Sequence, residues 1–184
     1  GKFLKSQGKL NGNTVVTTVM SNMGLYKAFE AEGINYEQTA VGDKYVAENM
    51  LENNYSIGGE QSGHVIFSRY AATGDGILTS LMIMEACVEQ KATLCDLAKE
   101  MKVYPQIHRN VRVADKKTAR ENPKVVEAVE AAARALSTDG RILVRESGTE
   151  PLIRVMVEAG TEEICAEHVN NVVRVMEEEG LVVE

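Results

Sequence analysis

"GRILVRESGTEPLIRVMVEA", Gly140–Ala159, is two apolar stretches joined by a short polar turn. Aliphatic and β-branched residues bounded by Gly140, Gly148 and Pro151 predict two strands, "GRILVRE" and "PLIRVMVEA". Before them, "NPKVVEAVEAAARAL" carries Val125, Val129, Ala132 and Leu136 as an apolar stripe with Pro123 near its first turn, which predicts a helix. After them, "TEEICAEHVNNVVRVMEEEG" predicts a closing helix with Thr161 as its cap and Cys165, Val169, Val172, Val173 and Met176 inward. "IHRNVRVA" upstream predicts one more strand. The order β-α-β-β-α implies helices on one face of a mostly antiparallel sheet, an α+β arrangement.

Pro105 interrupts the pattern, so the chain divides into residues 1–104 and residues 105–184. The first part alternates strand and helix. "NTVVTTVM" and "INYEQTAV" predict strands, and "MGLYKAFEAEG" a helix closed by Gly33. "DKYVAENMLENN" predicts a helix with Tyr45, Val46, Met50 and Leu51 inward, and "YSIGGEQSGHVIFSRY" two strands around a glycine-rich turn. Asp75 caps a further helix with Ile77, Leu81, Met84 and Val88 as its inward stripe, and Thr93 caps a short one after it. This order predicts an α/β unit with a mixed sheet and helices on both faces.

With 184 residues and 44% hydrophobic content, both parts can bury a core. Lys plus Arg total 20 against 27 Asp plus Glu, a net charge of −7. That balance excludes binding to nucleic acid through a general positive field, so an anionic ligand must be met by a local cluster of positive groups. Three scattered cysteines without a C-x-x-C pair imply reduced thiols and a cytoplasmic setting. No apolar run reaches the ~20 residues that span a bilayer, so no membrane association is expected. No His/Cys/Asp/Glu spacing suits a metal, and none is expected in this chain. His108 and His168 read as structural.

Three loops carry candidate chemistry. In "RESGTEPLIR", Arg145 and Arg154 offer planar forks suited to phosphate, Ser147 and Thr149 offer hydroxyls, and Gly148 lets backbone N–H groups come close to an anion. A polar hairpin whose arginines pair with Glu146 and Glu150 accounts for the same residues. In "GGEQSGH", Glu60 and Ser62 suit sugar hydroxyls and the His64 imidazole suits proton transfer, although a plain hairpin is also consistent. In "VGDKYV", Asp43 reads first as a helix cap, and Gly42, Asp43 and Lys44 are possible ligand contacts.

Taken in order, "MSNMG", "VGDKYV", "GGEQSGH", "TGDGILTSL" and "RESGTEPLIR" strongly resemble the loops of the α-D-phosphohexomutases, over essentially the whole chain. The "GEQSGH" form, with Gln61 and His64, resembles the bacterial branch that works on glucosamine phosphates. Lys44 stands where that family often has arginine. The resemblance implies a four-domain enzyme of which this chain is the third and fourth domains. The nucleophilic serine, carried as a phosphoserine, and the magnesium-binding loop would lie in the missing first and second domains, so the fragment alone would be inactive. It implies interconversion of glucosamine 6-phosphate and glucosamine 1-phosphate, toward amino-sugar nucleotides and cell-wall precursors, with sugar phosphate and the enzyme's own N-terminal domains as partners. Arg145, Ser147, Gly148, Thr149 and Arg154 would clamp phosphate, Glu60 and Ser62 would hold sugar hydroxyls, and His64 would assist proton transfer. The alternatives are a mutase of mannose or glucose phosphates and a noncatalytic anion-binding module.

Overall fold

Five consecutive buried residues, Thr14–Thr18, form β1, a strand covered on both faces as central parallel strands are. In this computed structural model, which describes residues 1–183, β1 is parallel to β2 (Asn35–Thr39) on one side and to β3 (Ile57–Gly59) on the other. β4 (Val65–Phe67) adds antiparallel to β3, giving the mixed order β2-β1-β3-β4. Alternation along β1 supplies two cores. Val15 joins Leu4 of α1 (Lys2–Ser6), Phe29 of α2 (Met23–Ala31) and Leu78 and Met82 of α4 (Gly76–Gln90). Val16 joins Val46 and Met50 of α3 (Asp43–Asn53) on the other face. α5 (Leu94–Ala98) follows, closed at its start by a Thr93–Asp96 capping box. These elements belong to one compact unit, Gly1–Val103, and a second begins at Tyr104.

Three expectations need correction here. Tyr45 and Leu51 are exposed, because α3 meets the sheet through the single Val46–Met50 row and each of the other two lies about 100° around the helix from it. Ile77, Leu81, Met84 and Val88 also stand outward, with Ile77 77% and Val88 74% exposed. α4 is apolar at nearly every position, so periodicity alone does not select the row that packs, and the Leu78–Met82 row does. Asp43 makes no capping bond: Gly42 is the N-cap at φ +132°, and Asp43 is the first helical residue. Its charge there still complements the positive end of the helix.

α3 closes on β3 at Gly58, where a Cβ would stand 2.6 Å from Met50 Sδ and 2.7 Å from Val46 Cγ1. Met50 can flex, whereas Val46 is fully buried and stiff at χ1. Gly58→Ala is therefore expected to destabilise the first unit by about 1–3 kcal/mol, read from the urea midpoint. An unchanged midpoint would show slack between α3 and the sheet.

In the second unit, β5 (Gln106–Arg112), β6 (Arg141–Glu146) and β7 (Leu152–Glu158) form an antiparallel sheet in the order β5-β7-β6. α7 (Pro123–Leu136) and α8 (Glu162–Glu178) bury Val125, Ala132, Leu136, Cys165, Val169, Val172 and Met176 against Val111, Ile153, Val155 and Val157. Burial pushes the Cys165 thiol pKa up, which suits a packed, unreactive side chain. One further helix, α6 (Lys116–Glu121), is capped by Asp115, which accepts from the Thr118 N–H at 2.6 Å.

Candidate functional site

Strand alternation decides what the second unit presents. Ile153, Val155 and Val157 point to the helices, so Arg154, Met156 and Glu158 occupy the opposite face. The register places Arg145 directly across from Arg154, with Asn110 on Arg154's other side. Like charges directly opposite each other destabilise a sheet. Arg145 is half-buried, and no hydrogen bond or ion pair engages its guanidinium among the described residues. Burial, and then the charge of Arg154, lowers its pKa. Arg154 donates from Nη2 to Glu150 Oε2 at 3.1 Å and to Ser147 Oγ at 3.3 Å, while its buried Nε has no partner. Two guanidiniums held side by side with donors left over present the kind of donor set that anions satisfy.

The turn completes this geometry. Ser147 is buried, its N–H donates to the Leu152 carbonyl at 2.9 Å, and its own carbonyl accepts from Lys116 Nζ at 2.8 Å. Gly148 and Thr149 stand exposed at the tip. No atom lies within 4 Å of where a Cβ at Gly148 would be, so nothing in the fold demands glycine there. Glu146 faces away from Arg145 and pairs with Arg120 at 3.1 Å. The salted-hairpin alternative thus holds for Arg154 with Glu150 and fails for Arg145.

In the first unit, the β3–β4 turn brings three side chains together. Glu60 N–H donates to the His64 carbonyl at 3.0 Å, and Gly63 N–H to the Glu60 carbonyl at 3.0 Å. This brings Ser62 Oγ to 2.6 Å from Glu60 Oε1 and 3.0 Å from His64 Nδ1, with His64 Nδ1 3.2 Å from Glu60 Oε1. Glu60 Oε2 accepts from the Gly42 N–H at 3.2 Å, which ties the "GGEQSGH" loop to the "VGDKYV" loop. An ionised carboxylate only accepts, so the proton of the imidazole belongs on Nδ1. The Nε2 lone pair is then free, on a ring whose side chain is 55% exposed. Gly74 packs against this ring, since a Cβ there would lie 3.1 Å from His64 Cβ and 3.3 Å from Cδ2. The Asp43 and Lys44 side chains form no bond to the cluster among the described residues, and Lys44 Nζ lies 5.1 Å from the centre of the Tyr45 ring.

Lys116 and Gly74 are positioning residues that the sequence reading missed. "ADKKTAR" is too short for helical periodicity, although its Asp115–Thr118 spacing is a capping signal. The "TGDG" stretch reads only as a cap, because its approach to His64 is a tertiary contact.

Two family models match the chain in tandem: "Phosphoglucomutase/phosphomannomutase, alpha/beta/alpha domain III" over residues 1–104, and "Phosphoglucomutase/phosphomannomutase, C-terminal domain" over residues 109–175. The chain belongs to the phosphoglucomutase/phosphomannomutase family. It is 60% identical over 183 residues to a phosphoglucosamine mutase of Lachnospira eligens, covering 100% of this chain and 41% of the relative. It is 53% identical over 178 residues to that of Bacillus subtilis, covering 97% and 40%. The chain thus spans about two fifths of the length of these curated relatives. The fold matches that of Aspergillus fumigatus N-acetylphosphoglucosamine mutase in complex with GlcNAc-6P and magnesium, with TM-score 0.77 and 17% identity, covering 97% of this chain and 41% of that one. An N-acetylglucosamine-phosphate mutase in its substrate complex gives TM-score 0.76 and 23% identity, covering 95% and 41%.

Proposed function

We propose that this chain is the sugar-phosphate-recognition half of an enzyme that interconverts glucosamine 6-phosphate and glucosamine 1-phosphate. The observation that carries the proposal is the cross-strand pair Arg145–Arg154, held together with unused donors. A dianionic phosphate converts their repulsion into charge-assisted hydrogen bonds, each contributing roughly 1.5–3 kcal/mol. Ser147 fixes Arg154, Lys116 fixes the turn, and the exposed Gly148 and Thr149 supply N–H and hydroxyl donors to the phosphate. Names of relatives 51–60% identical to the chain support glucosamine as the sugar.

In this reading Glu60 and Ser62 hold sugar hydroxyls, and the Gly42–Lys44 loop borders them. The serine that carries the phosphoryl group as phosphoserine, and a magnesium ion, belong to the part of the polypeptide outside this chain. Among the described residues, no group of three or more His, Cys, Asp or Glu side chains is arranged to hold a metal. When phosphoryl transfers to a sugar hydroxyl, the new P–O bond forms on that oxygen as the bond to serine breaks. The hydroxyl proton passes to His64 Nε2, whose tautomer is held by Glu60 and Ser62. The bisphosphorylated sugar then reorients, and a clamp that reads only phosphate accepts either end. The setting proposed for the whole polypeptide is the cytoplasm, where its product feeds amino-sugar nucleotides and cell-wall precursors. Among the described residues no helix is long and apolar enough to cross a membrane.

Comparing turnover of glucosamine, glucose and mannose phosphates by the longer polypeptide that carries this chain tests the proposal. Glucosamine phosphate is expected to be preferred. A preference for glucose or mannose phosphate would overturn the sugar assignment.

A further inference from the structure

The helix-free face of the second sheet holds more than the arginine pair. Behind the row Asn110–Arg154–Arg145 the register places His108–Met156–Leu143, and behind that Gln106–Glu158–Arg141. His108 is therefore a diagonal neighbour of Arg154 on the adjacent strand, a relation that spans roughly 7–8 Å. Hydrogen bonds link the two rear rows. Glu158 is fully buried and accepts from Arg141 Nε and, at 2.7 Å, from Gln106 Nε2. Because the Gln106 amide nitrogen is committed to the carboxylate, its oxygen faces His108 Nε2 at 2.6 Å. That oxygen can only accept, so Nε2 carries the hydrogen and Nδ1 is left as the site of protonation. The tautomer of His108 is thus dictated by a buried carboxylate two strand positions away.

We propose that His108 is a positioning residue of the anion site, whose protonation adds a third positive charge behind the Arg145–Arg154 pair and strengthens anion binding. The inference rests on the phosphate reading of that pair. The charged groups facing His108 are Glu158 and Arg154 from β7 and Arg145 and Arg141 from β6, while Arg109 on its own strand donates to the His108 carbonyl and alternates to the other face. Without an anion, withdrawal from water lowers the His108 pKa first, Glu158 opposes that shift, and Arg145 and Arg154 add to the lowering. The free site therefore disfavours the protonated ring. A dianion between the arginines cancels their repulsion and makes protonation of Nδ1 more favourable. Linkage then requires the reverse: anion affinity rises as pH falls through the histidine range. At the diagonal separation and high effective dielectric of an exposed ring, the effect is about three- to tenfold.

The test uses sulfate, which stays a dianion from pH 5 to 8.5 and so adds no titration of its own. In the 184-residue chain, the His108 ring is followed by NMR across that range, with and without saturating sulfate, its resonance assigned by loss in His108→Leu. The titration midpoint is expected below the ordinary histidine value and to move upward with sulfate. Sulfate affinity should fall about three- to tenfold from pH 5 to 8, and His108→Leu should bind with a flat pH profile. A midpoint indifferent to bound sulfate, or an unchanged pH profile in His108→Leu, would overturn the role of His108 while leaving the clamp in place. Failure of sulfate to bind at any pH would overturn both readings. Sequential assignment of the unmodified chain identifies the same ring, so a poorly folded variant would not remove the test.

Discussion

Replacing Arg145 with alanine is expected to weaken binding of glucosamine 6-phosphate roughly 100-fold or more while leaving the second unit at least as stable. Both halves of this expectation come from the same geometry. In the free protein the Arg145 guanidinium engages no partner among the described residues, is half-buried, and faces Arg154 across the β6–β7 ladder. Its removal costs no native hydrogen bond and relieves a like-charge pair. With phosphate bound, the variant loses a fork that makes two charge-assisted bonds of roughly 1.5–3 kcal/mol each, part of which water and Lys116 recover. Amide shifts of Gly148 and Thr149 during titration report binding, and thermal unfolding reports stability. A variant that unfolds several degrees earlier and binds as before would make Arg145 a structural residue of the hairpin.

Removing Glu158 is expected to have the opposite signature. It is fully buried, and it balances Arg141 and orients Gln106. Glu158→Leu removes the buried carboxylate that Arg141, 23% exposed in the native chain, donates to. Breaking one side of a buried pair costs about 3–5 kcal/mol, and partial access of Arg141 to water favours the lower end. The urea midpoint should drop accordingly with an unchanged slope. Adding Arg141→Met should restore much of the loss, because an apolar pair of similar volume leaves no stranded charge. A loss under 1 kcal/mol in the single variant would contradict the assignment of Glu158 as the anchor of the rear row.

The hairpin "GRILVRESGTEPLIRVMVEA" was legible because two short strands, a proline-started helix and a Thr161-capped helix each carry local signals that agree. Capping by Asp75 and Thr93 was legible for the same reason. Local pattern misled where it was degenerate. α4 offers two apolar rows, and only the sheet decides that Leu78 and Met82 are inward. Asp43 was expected as a cap and sits one residue inside, since Gly42 at φ +132° provides the turn that an aspartate would resist. In the two candidate loops, Arg145, Arg154, Glu60, Ser62 and His64 all carry chemistry in their side chains and could be singled out. Lys116, Gly74 and His108 could not, because each acquires its position through a contact with a distant segment. His108 reads as an ordinary strand residue until the ladder sets it beside Arg154.

A crystal structure of the chain soaked with glucosamine 6-phosphate tests the central claim most directly. Phosphate is expected between Arg145 and Arg154, with the Arg154 Nε donor engaged and the backbone N–H groups at Gly148 and Thr149 directed to it. Phosphate bound elsewhere, with Arg154 still paired to Glu150 and Arg145 still unengaged, would contradict it.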